Sequence, residues 1–267
     1  MTILKKILCL IFAAFAVVYL TLASFAYFFS DQMIFPAPQA HYSDTKDIIK
    51  ITAADGIEIS AIYLPNKKAQ YTILFSHGNK EDLGSKMPFL KQLQAHGFAV
   101  FAYDYHGYGT SDGEPSEENC YQDINSAYDY LINKLNVPPT KIIDFGYSIG
   151  SGPAVELAVT KPVAGLILET PFVSIYRVMT HYPLLPFAKF NNIKKIPKLT
   201  VPLLVIHGTK DRTVPFWHGV TLYNKAPQPK MHLWVENATH TNVSEIAQKN
   251  YWETIYNFTK LLNQAKK

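Results

Sequence analysis

Gly146-Tyr147-Ser148-Ile149-Gly150 joins a short apolar run, which begins at Ile142, to a segment of helical length that extends to Thr160. A serine between two glycines at a strand-to-helix junction lies on a sharp, strained turn, because the glycines let neighbouring chain segments approach. This turn would expose the Ser148 hydroxyl, and the amide of Ile149 would face a developing oxyanion. A plain glycine-rich turn is the alternative, but it does not require these flanking segments. We therefore predict Ser148 to be a nucleophile.

Short, almost continuous apolar runs recur on both sides of this motif. Such runs are typical of strands buried on both faces of a parallel sheet. They cover residues 71–75, 98–103, 142–146, 165–168 and 203–206, with a last strand at 231–235. Segments of helical length lie at 85–96, 117–135, 149–160, 216–225 and 244–262. An antiparallel hairpin around Asp55-Gly56 precedes them. The alternation predicts an α/β fold, a mostly parallel sheet covered by helices on both faces.

One insertion, at about 171–199, interrupts the alternation and is rich in proline and aromatic residues. It is too long for an ordinary connection between a strand and the next element, so we predict a short cap. Its apolar side chains either line a tunnel for an acyl chain or pack against the domain, and the sequence favours neither reading. These side chains are Pro171, Phe172, Ile175, Tyr176, Val178, Met179, Tyr182, Leu184, Leu185, Phe187 and Phe190.

A serine nucleophile needs a base and a carboxylate that orients the base. Asp211 follows the strand at 203–206, and His240 lies between the last strand and the last helix. Both positions belong to the carboxyl edge of the sheet, where open α/β sheets place ligands. We predict Asp211 as the acid, although a turn or cap role is its alternative, and His240 as the base. The other histidines considered as the base are His77, His96, His106, His181, His207, His218 and His232.

Ser76-His77-Gly78-Asn79 ends the strand that precedes the first helix of the α/β region. A serine hydrolase of this architecture draws its second oxyanion donor from a backbone amide there. We therefore predict the amides of Asn79 and Ile149 as the oxyanion hole. A second glycine-containing segment, 104–113, follows the next strand and is expected to shape a loop beside the pocket. It is no phosphate cradle, because no helix begins at its glycines.

The N-terminal residues carry an uncharged run from Ile7 to Phe29, long enough to cross a hydrocarbon core as a helix. Lys5 and Lys6 precede it, and no further lysine or arginine occurs before Lys46. The positive-inside rule then places the N-terminus in the cytoplasm and the main domain on the outer side, the periplasm of a bacterium. A secreted protein with a cleaved signal peptide is the alternative. We favour an anchor over residues 1–34 and a hydrolase domain over residues 35–267.

The 267-residue chain has a formal charge of +4 and only 17% charged residues. Without a dense basic stripe, this charge gives no support to nucleic acid as a partner. The two cysteines, Cys9 and Cys120, lack the neighbours of a zinc site, so we predict neither a metal nor a cofactor. The sequence makes no prediction of oligomeric state.

Together, these motifs resemble those of the Bem46-like α/β-hydrolases, from about Phe35 to the C-terminus. The matching segments include those around Asn79, Ser148 and Asp211, together with residues 104–109 and 214–219. The family includes membrane-tethered acyl hydrolases, among them protein depalmitoylases. The resemblance implies the α/β-hydrolase fold, the nucleophile Ser148, the acid Asp211, the base His240, and the oxyanion amides of Asn79 and Ile149.

Two residues depart from the pattern of that family. His106 stands where relatives usually carry arginine, and Lys80 stands where a small residue is common. A spanning helix also replaces the cysteine-rich, palmitoylated N-terminus of some depalmitoylases. These changes affect the rim of the pocket and the mode of membrane attachment, so the substrate cannot be transferred from relatives.

The predicted function is therefore that of a membrane-anchored serine hydrolase. It would cleave a carboxylic ester or thioester of an acyl or lipid substrate through an acyl-enzyme. A membrane-anchored binding protein that keeps the fold without catalysis is one alternative, because fold alone does not establish activity. A peptidase is another, although no sequence feature identifies a subsite for the residue before the scissile amide.

Overall fold

The computed structural model describes residues 3–264 and contains two compact units, which are divided between Pro36 and Ala37. The first unit is helix α1 (Ile3–Ile34), which has 32 residues. By length and apolar composition it is the one helix among the described residues that could cross a membrane. A signal sequence has the same properties. The division into an anchor at 1–34 and a domain at 35–267 stays a prediction.

The second unit is built on an eight-stranded sheet with the order β1-β2-β4-β3-β5-β6-β7-β8. Its strands are β1 (Ile48–Thr52), β2 (Glu58–Leu64), β3 (Thr72–Ser76), β4 (Ala99–Tyr103), β5 (Ile142–Tyr147), β6 (Gly165–Glu169), β7 (Leu203–Gly208) and β8 (Lys230–Val235). The pairs β1–β2 and β2–β4 are antiparallel and every other pair is parallel. The prediction of a mostly parallel sheet preceded by an antiparallel hairpin is confirmed.

Helices cover both faces of this sheet. They are α2 (Leu83–Ala95), α3 (Glu117–Asn133), α4 (Ser151–Thr160), α5 (Tyr176–Met179), α6 (Asn192–Lys195), α7 (Trp217–Lys225), α8 (Val243–Ala247) and α9 (Lys249–Gln264). Leu90 of α2 and Phe258 of α9 belong to one core cluster with Phe75 and Phe145 of the sheet. Because side chains alternate along a strand, Gly146 faces the other side, where a Cβ atom on it would lie 2.8 Å from that of Ala154 in α4.

The final helix differs from the sequence-based prediction of one helix over residues 244–262. The structure has two helices there, because Gln248 takes φ 47° and ψ −121°, outside the helical region. No proline or glycine marks this break in the sequence. The nucleophile helix also begins differently, since a single 3-10 turn (Ser148–Gly150) precedes α4.

The cap segment has two parts with different environments. Near its two ends, Phe172 and Phe190 are buried and their rings meet edge to face, with centroids 6.2 Å apart. At its tip, Met179, Tyr182 and Leu184 are 87%, 70% and 62% exposed. Packing therefore accounts for the two phenylalanines, whereas the tip leaves apolar side chains open to a ligand or a surface.

Candidate active site

The turn that carries Ser148 follows β5 directly. Ser148 has φ 52°, a left-handed conformation that costs a residue with a side chain free energy. Gly150 makes the conformation possible by close approach, since a Cβ atom there would lie 2.2 Å from the carbonyl oxygen of Ser76. The nucleophile turn is thereby held against the end of β3, at the carboxyl edge of the sheet.

The structure brings the three predicted triad residues together in one line of hydrogen bonds. The Oγ atom of Ser148 lies 2.9 Å from Nε2 of His240, and Nδ1 of His240 lies 2.7 Å from Oδ2 of Asp211. Asp211 is buried, and the side chain of His240 is 13% exposed. Since the carboxylate faces Nδ1, the tautomer with a proton on Nδ1 leaves Nε2 free to accept the serine proton.

Four donors surround the carboxylate of Asp211. The amides of Thr213 and Val214 each donate to Oδ1 over 2.9 Å, and two imidazoles, His207 and His240, lie against Oδ2. Burial by itself raises the pKa of Asp211, but the hydrogen bonds and the nearby imidazolium charge outweigh it and hold the pKa well below its usual range. The acid is therefore ionised at neutral pH.

Sequence reasoning missed the contact of His207 with the acid. Its Nε2 atom lies 3.2 Å from Oδ2 of Asp211 and 2.9 Å from the carbonyl oxygen of Val214. His207 is the second-to-last residue of β7, four residues before Asp211, and its side chain is fully buried. The spacing of four residues across the strand end is the one signal in the sequence for this contact.

The predicted oxyanion donor Asn79 belongs to a turn fixed on several sides. Nδ1 of His77 lies 2.8 Å from the carbonyl oxygen of Gly78, and the hydroxyl of Tyr108 donates to the carbonyl oxygen of Asn79 over 2.9 Å. In a trans peptide the C=O and N–H bonds point in opposite directions. Holding the Gly78 oxygen therefore fixes the direction of the Asn79 N–H, one of the two predicted donors.

A buried carboxylate, that of Asp104, contacts the same turn through His77. Its Oδ1 lies 3.2 Å from Nε2 of His77 and accepts the amide of Leu83 over 2.9 Å. Its Oδ2 accepts the hydroxyl of Tyr42 over 2.6 Å. Burial, together with the charge of Asp104, raises the pKa of Tyr42, which stays a hydrogen-bond donor. The segment at 104–113 thus holds the turn at Asn79, through Asp104 and Tyr108.

His106, which departs from the family pattern, forms a histidine–carboxylate pair that is separate from the predicted triad. Its Nδ1 lies 2.5 Å from Oδ1 of Asp123 in α3, and its Nε2 lies 3.2 Å from Oδ2 of Asp55. Burial by itself lowers the pKa of His106, but the hydrogen bond and charge of Asp123, helped by Asp55, raise it overall. These surroundings favour the protonated form of His106, which would put a cation where relatives usually carry arginine.

Among residues 3–264, no cluster of three or more histidine, cysteine, aspartate or glutamate side chains could hold a metal ion. The hydroxyl of Ser148, the imidazole of His240 and the carboxylate of Asp211 lie in the order that a nucleophile, a base and an acid would need.

Comparison with known families places two partial matches on the second unit. The family described as serine aminopeptidase, S33, matches residues 67–193, and the family described as X-Pro dipeptidyl-peptidase (S15 family) matches residues 167–242. The first range contains Asn79 and Ser148, and the second contains Asp211 and His240.

Similar sequences include two groups of α/β-hydrolase domain proteins. The Caenorhabditis elegans protein aho-3 is 44% identical over 183 residues, which cover 67% of this chain and 54% of the relative. The α/β-hydrolase domain-containing protein 17B of Xenopus laevis is 42% identical and is covered to 66%, with 71% of this chain aligned. The human protein 17C is 42% identical and is covered to 58%, with 71% of this chain aligned. The chain thus spans between about half and two thirds of the length of these relatives.

Similar structures include two esterases. An esterase of Pyrococcus furiosus superposes with a TM-score of 0.72 at 19% identity, covering 84% of this chain and 96% of its own. An esterase of Exiguobacterium antarcticum gives a TM-score of 0.62 at 18% identity, covering 79% and 98%. At such low identity, the likeness concerns the fold alone.

Proposed function

We propose that this chain, which belongs to the Bem46-like α/β-hydrolase family, is a serine hydrolase that cleaves a carboxylic ester or thioester of an acyl or lipid substrate. The observation that carries the proposal is the line of hydrogen bonds from Asp211 through His240 to Ser148. A serine hydroxyl is a weak nucleophile at neutral pH and needs a base held in the correct tautomer. The ionised state of Asp211 meets that need.

Acylation begins when Oγ of Ser148 attacks the carbonyl carbon while Nε2 of His240 takes the hydroxyl proton. The carbonyl oxygen becomes an oxyanion, and the amides of Asn79 and Ile149 donate to it. Loss of one such donor typically costs about 3 kcal/mol of transition-state stabilisation. The intermediate then collapses, the bond to the leaving oxygen or sulfur breaks, and His240 gives its proton to the leaving group.

Deacylation reverses these roles with water in place of the leaving group. His240 takes a proton from water, whose oxygen attacks the acyl carbon bound to Ser148. The second intermediate collapses to a carboxylic acid, and the proton returns to the serine oxygen. Asp211 stays ionised throughout and stabilises the imidazolium that forms in each half-reaction.

An acyl or lipid substrate is favoured by the tip of the cap and by the N-terminal helix. Met179, Tyr182 and Leu184 leave apolar surface exposed on the same domain as the triad, and pockets for such substrates are lined mainly by apolar side chains. As part of the same proposal, α1 holds the enzyme at a membrane as a single-pass anchor. Lys5 and Lys6 place its N-terminus in the cytoplasm and the catalytic domain on the outer side.

The test is labelling of the full chain in detergent with a fluorophosphonate, alongside Ser148→Ala. We expect labelling of the wild type and none of the variant, with hydrolysis of p-nitrophenyl esters and acyl thioesters lost in parallel. The thermal unfolding midpoints of the two proteins should agree closely, because the exchange removes a single hydroxyl and leaves the backbone of the turn and its glycines unchanged. A folded wild type that takes no label would instead support the binding-protein alternative.

A peptidase is the second candidate, favoured by the descriptions of the two matched families. Amide hydrolysis by the same triad requires the same acyl-enzyme, with an amine as leaving group. Aminoacyl and prolyl p-nitroanilides therefore belong in the same assay. Turnover of these amides with a larger kcat/KM than the esters would replace the ester assignment, while Ser148 would keep its role.

A further inference from the structure

Tyr147, the residue before the nucleophile, lies between the oxyanion turn and the base. Its hydroxyl donates to the backbone carbonyl oxygen of His240 over 3.0 Å. Its ring lies against the turn on the other side, since a Cβ atom on Gly78 would be 3.1 Å from Cε1 of the ring. Tyr147 is buried, and burial, together with the charge of Glu81, raises its pKa, so the phenol remains a donor.

A charged pair connects the ring of Tyr147 to the oxyanion turn. Nζ of Lys86 lies 3.9 Å from the centroid of the ring and 2.8 Å from Oε1 of Glu81. Oε2 of Glu81 in turn accepts the amide of Gly78 over 2.8 Å. Both charged side chains are mostly buried, at 17% and 23% exposed, where a cation over an aromatic face is worth more than on the surface and where removing one partner of an ion pair leaves a costly unpaired charge.

From these contacts we infer that Glu81, Lys86 and Tyr147 form a bridge that positions the oxyanion turn and the base relative to each other. The inference rests on the proposed function and adds three positioning residues to it. One end of the bridge holds the amide of Gly78, next to the peptide that presents the Asn79 N–H. The other end holds the backbone of His240, whose loop is otherwise partly exposed.

The bridge matters for catalysis because its two ends hold parts that must act together. The base must reach Oγ of Ser148 while the oxyanion donors meet the carbonyl oxygen, within a fraction of an ångström. Asp211 orients the imidazole of His240, whereas the backbone carbonyl oxygen of His240 accepts a hydrogen bond from the hydroxyl of Tyr147. Removing that hydroxyl keeps all three side chains of the triad and only makes the position of His240 less restricted.

The experiment compares Tyr147→Phe with Tyr128→Phe in the full chain. Tyr128 is a matched control, because its hydroxyl donates to the carbonyl oxygen of Pro162 over 2.6 Å, before the start of β6 and so at the opposite edge of the sheet. We expect Tyr147→Phe to lower kcat on a short p-nitrophenyl ester about ten-fold, with KM changed less than about two-fold. Tyr128→Phe should leave kcat unchanged. Equal kcat values for the two variants overturn the inference.

A double-mutant cycle tests whether the bridge acts as a unit. Lys86→Met should lower kcat, and the double variant with Tyr147→Phe should lose less than the product of the two single effects. A fully multiplicative loss would mean that Lys86 and Tyr147 act independently, which overturns the bridge. Glu81→Gln keeps an acceptor for the Gly78 amide and should be the mildest of the three single variants.

Hydrogen exchange separates a failure of this inference from a failure of the proposed function. Amides of residues 236–242 should exchange faster in Tyr147→Phe than in the wild type, and Tyr128→Phe should not change them. This result would support the bridge even if no ester is hydrolysed. Unchanged exchange in Tyr147→Phe overturns the bridge, whereas absent fluorophosphonate labelling of the wild type overturns only the serine-hydrolase assignment.

Discussion

Two histidine–aspartate pairs in the same domain have almost the same geometry and different surroundings. Nδ1 of His240 lies 2.7 Å from Asp211, and Nδ1 of His106 lies 2.5 Å from Asp123. The difference is at the second nitrogen, which faces the Ser148 hydroxyl in the first pair and another carboxylate, that of Asp55, in the second. A ring with a carboxylate at both nitrogens favours the imidazolium, whereas a ring that faces a hydroxyl can take and return a proton.

The two carboxylates differ in the same way. Asp211 receives four donors, which hold its pKa well below its usual range. Among the described residues, Asp123 accepts hydrogen bonds from His106 alone, through the amide at 3.0 Å and through the ring, and burial raises its pKa. The charge of Asp211 is therefore supported by the backbone, while that of Asp123 depends on one side chain.

The largest expected effect comes from removing the charge of each aspartate in turn. Asp211→Asn should lower kcat about 10⁴-fold, because an amide at this position stabilises the wrong tautomer of His240 and cannot stabilise the imidazolium. Asp123→Asn should leave kcat per folded molecule unchanged, since its pair does not face Ser148. Steady-state kinetics on one ester, with active sites counted by fluorophosphonate labelling, make the comparison. Losses of similar size in both variants would contradict the distinction between the pairs.

The next effect concerns stability rather than rate. His106→Ala should lower the free energy of unfolding by about 3–5 kcal/mol, because it leaves Asp123 buried without its partner. His106→Arg is the control: it restores the cation that the resembling family usually carries, so we expect a loss of no more than about 1 kcal/mol. Denaturant unfolding of both variants at one pH, with the slopes compared, gives the two values. Equal losses would show that the shape of the imidazole matters more than its charge.

Another buried carboxyl, that of Asp144, has no hydrogen-bond partner within residues 3–264. Asp144 lies in the middle of β5, fully buried, and both of its side-chain oxygens are without a hydrogen bond among the described residues. Burial raises its pKa well above the usual value. Since the unfolded chain releases this proton more readily, the residue destabilises the fold increasingly as the pH rises above its ordinary value of 3.8.

Replacement of this residue should therefore stabilise the protein. Asp144→Val removes the unpaired polar group and suits a central strand, so we expect the free energy of unfolding to rise by about 1–3 kcal/mol at pH 8, and by less at pH 5. Asp144→Asn, which keeps an unpaired polar group of the same shape, serves as the control and should gain less than the valine variant. A loss of stability in Asp144→Val at both pH values would mean that the carboxyl has a partner after all.

Much of the fold and the candidate triad followed from local patterns in the sequence. Buried parallel strands are short apolar runs, and the motif around Ser148 and the order of Asp211 and His240 depend on positions at strand ends. The contacts of His106 with Asp123 and Asp55 did not follow. Their partners come from separate elements, so only the packed structure brings them together.

Two findings show where local reasoning ends. The last helix breaks at Gln248, a residue type that favours helices, because the tertiary structure imposes a non-helical conformation on it. The bridge through Glu81 and Lys86 reaches Tyr147 only because β3 and β5 are neighbours in the sheet. Neither the helix break nor the bridge has a sequence pattern that would identify it.

The smallest effect distinguishes the pairs by the pH at which each loses its stabilisation. The pKa of His106 is raised in the folded state above its ordinary value of 6.5. The stability from this imidazolium, which faces Asp123 and Asp55, is complete below pH 6.5 and is lost as the pH rises through the folded pKa. The pKa of Asp211 is lowered, so its stability is complete above its ordinary value of 3.8 and is lost as the pH falls.

Differences between variants isolate these two contributions from the other titrating groups. The stability of the wild type relative to His106→Arg should decline as the pH rises above 6.5, because the imidazole loses its proton while arginine keeps its charge. The stability of the wild type relative to Asp211→Asn should decline below about pH 4, since asparagine does not titrate. Denaturant midpoints collected across the pH range measure both differences. If both stability differences declined at the same end of the pH range, the two histidine–aspartate pairs would not differ in their protonation. The proposed proton transfer by His240 would then lose its electrostatic basis.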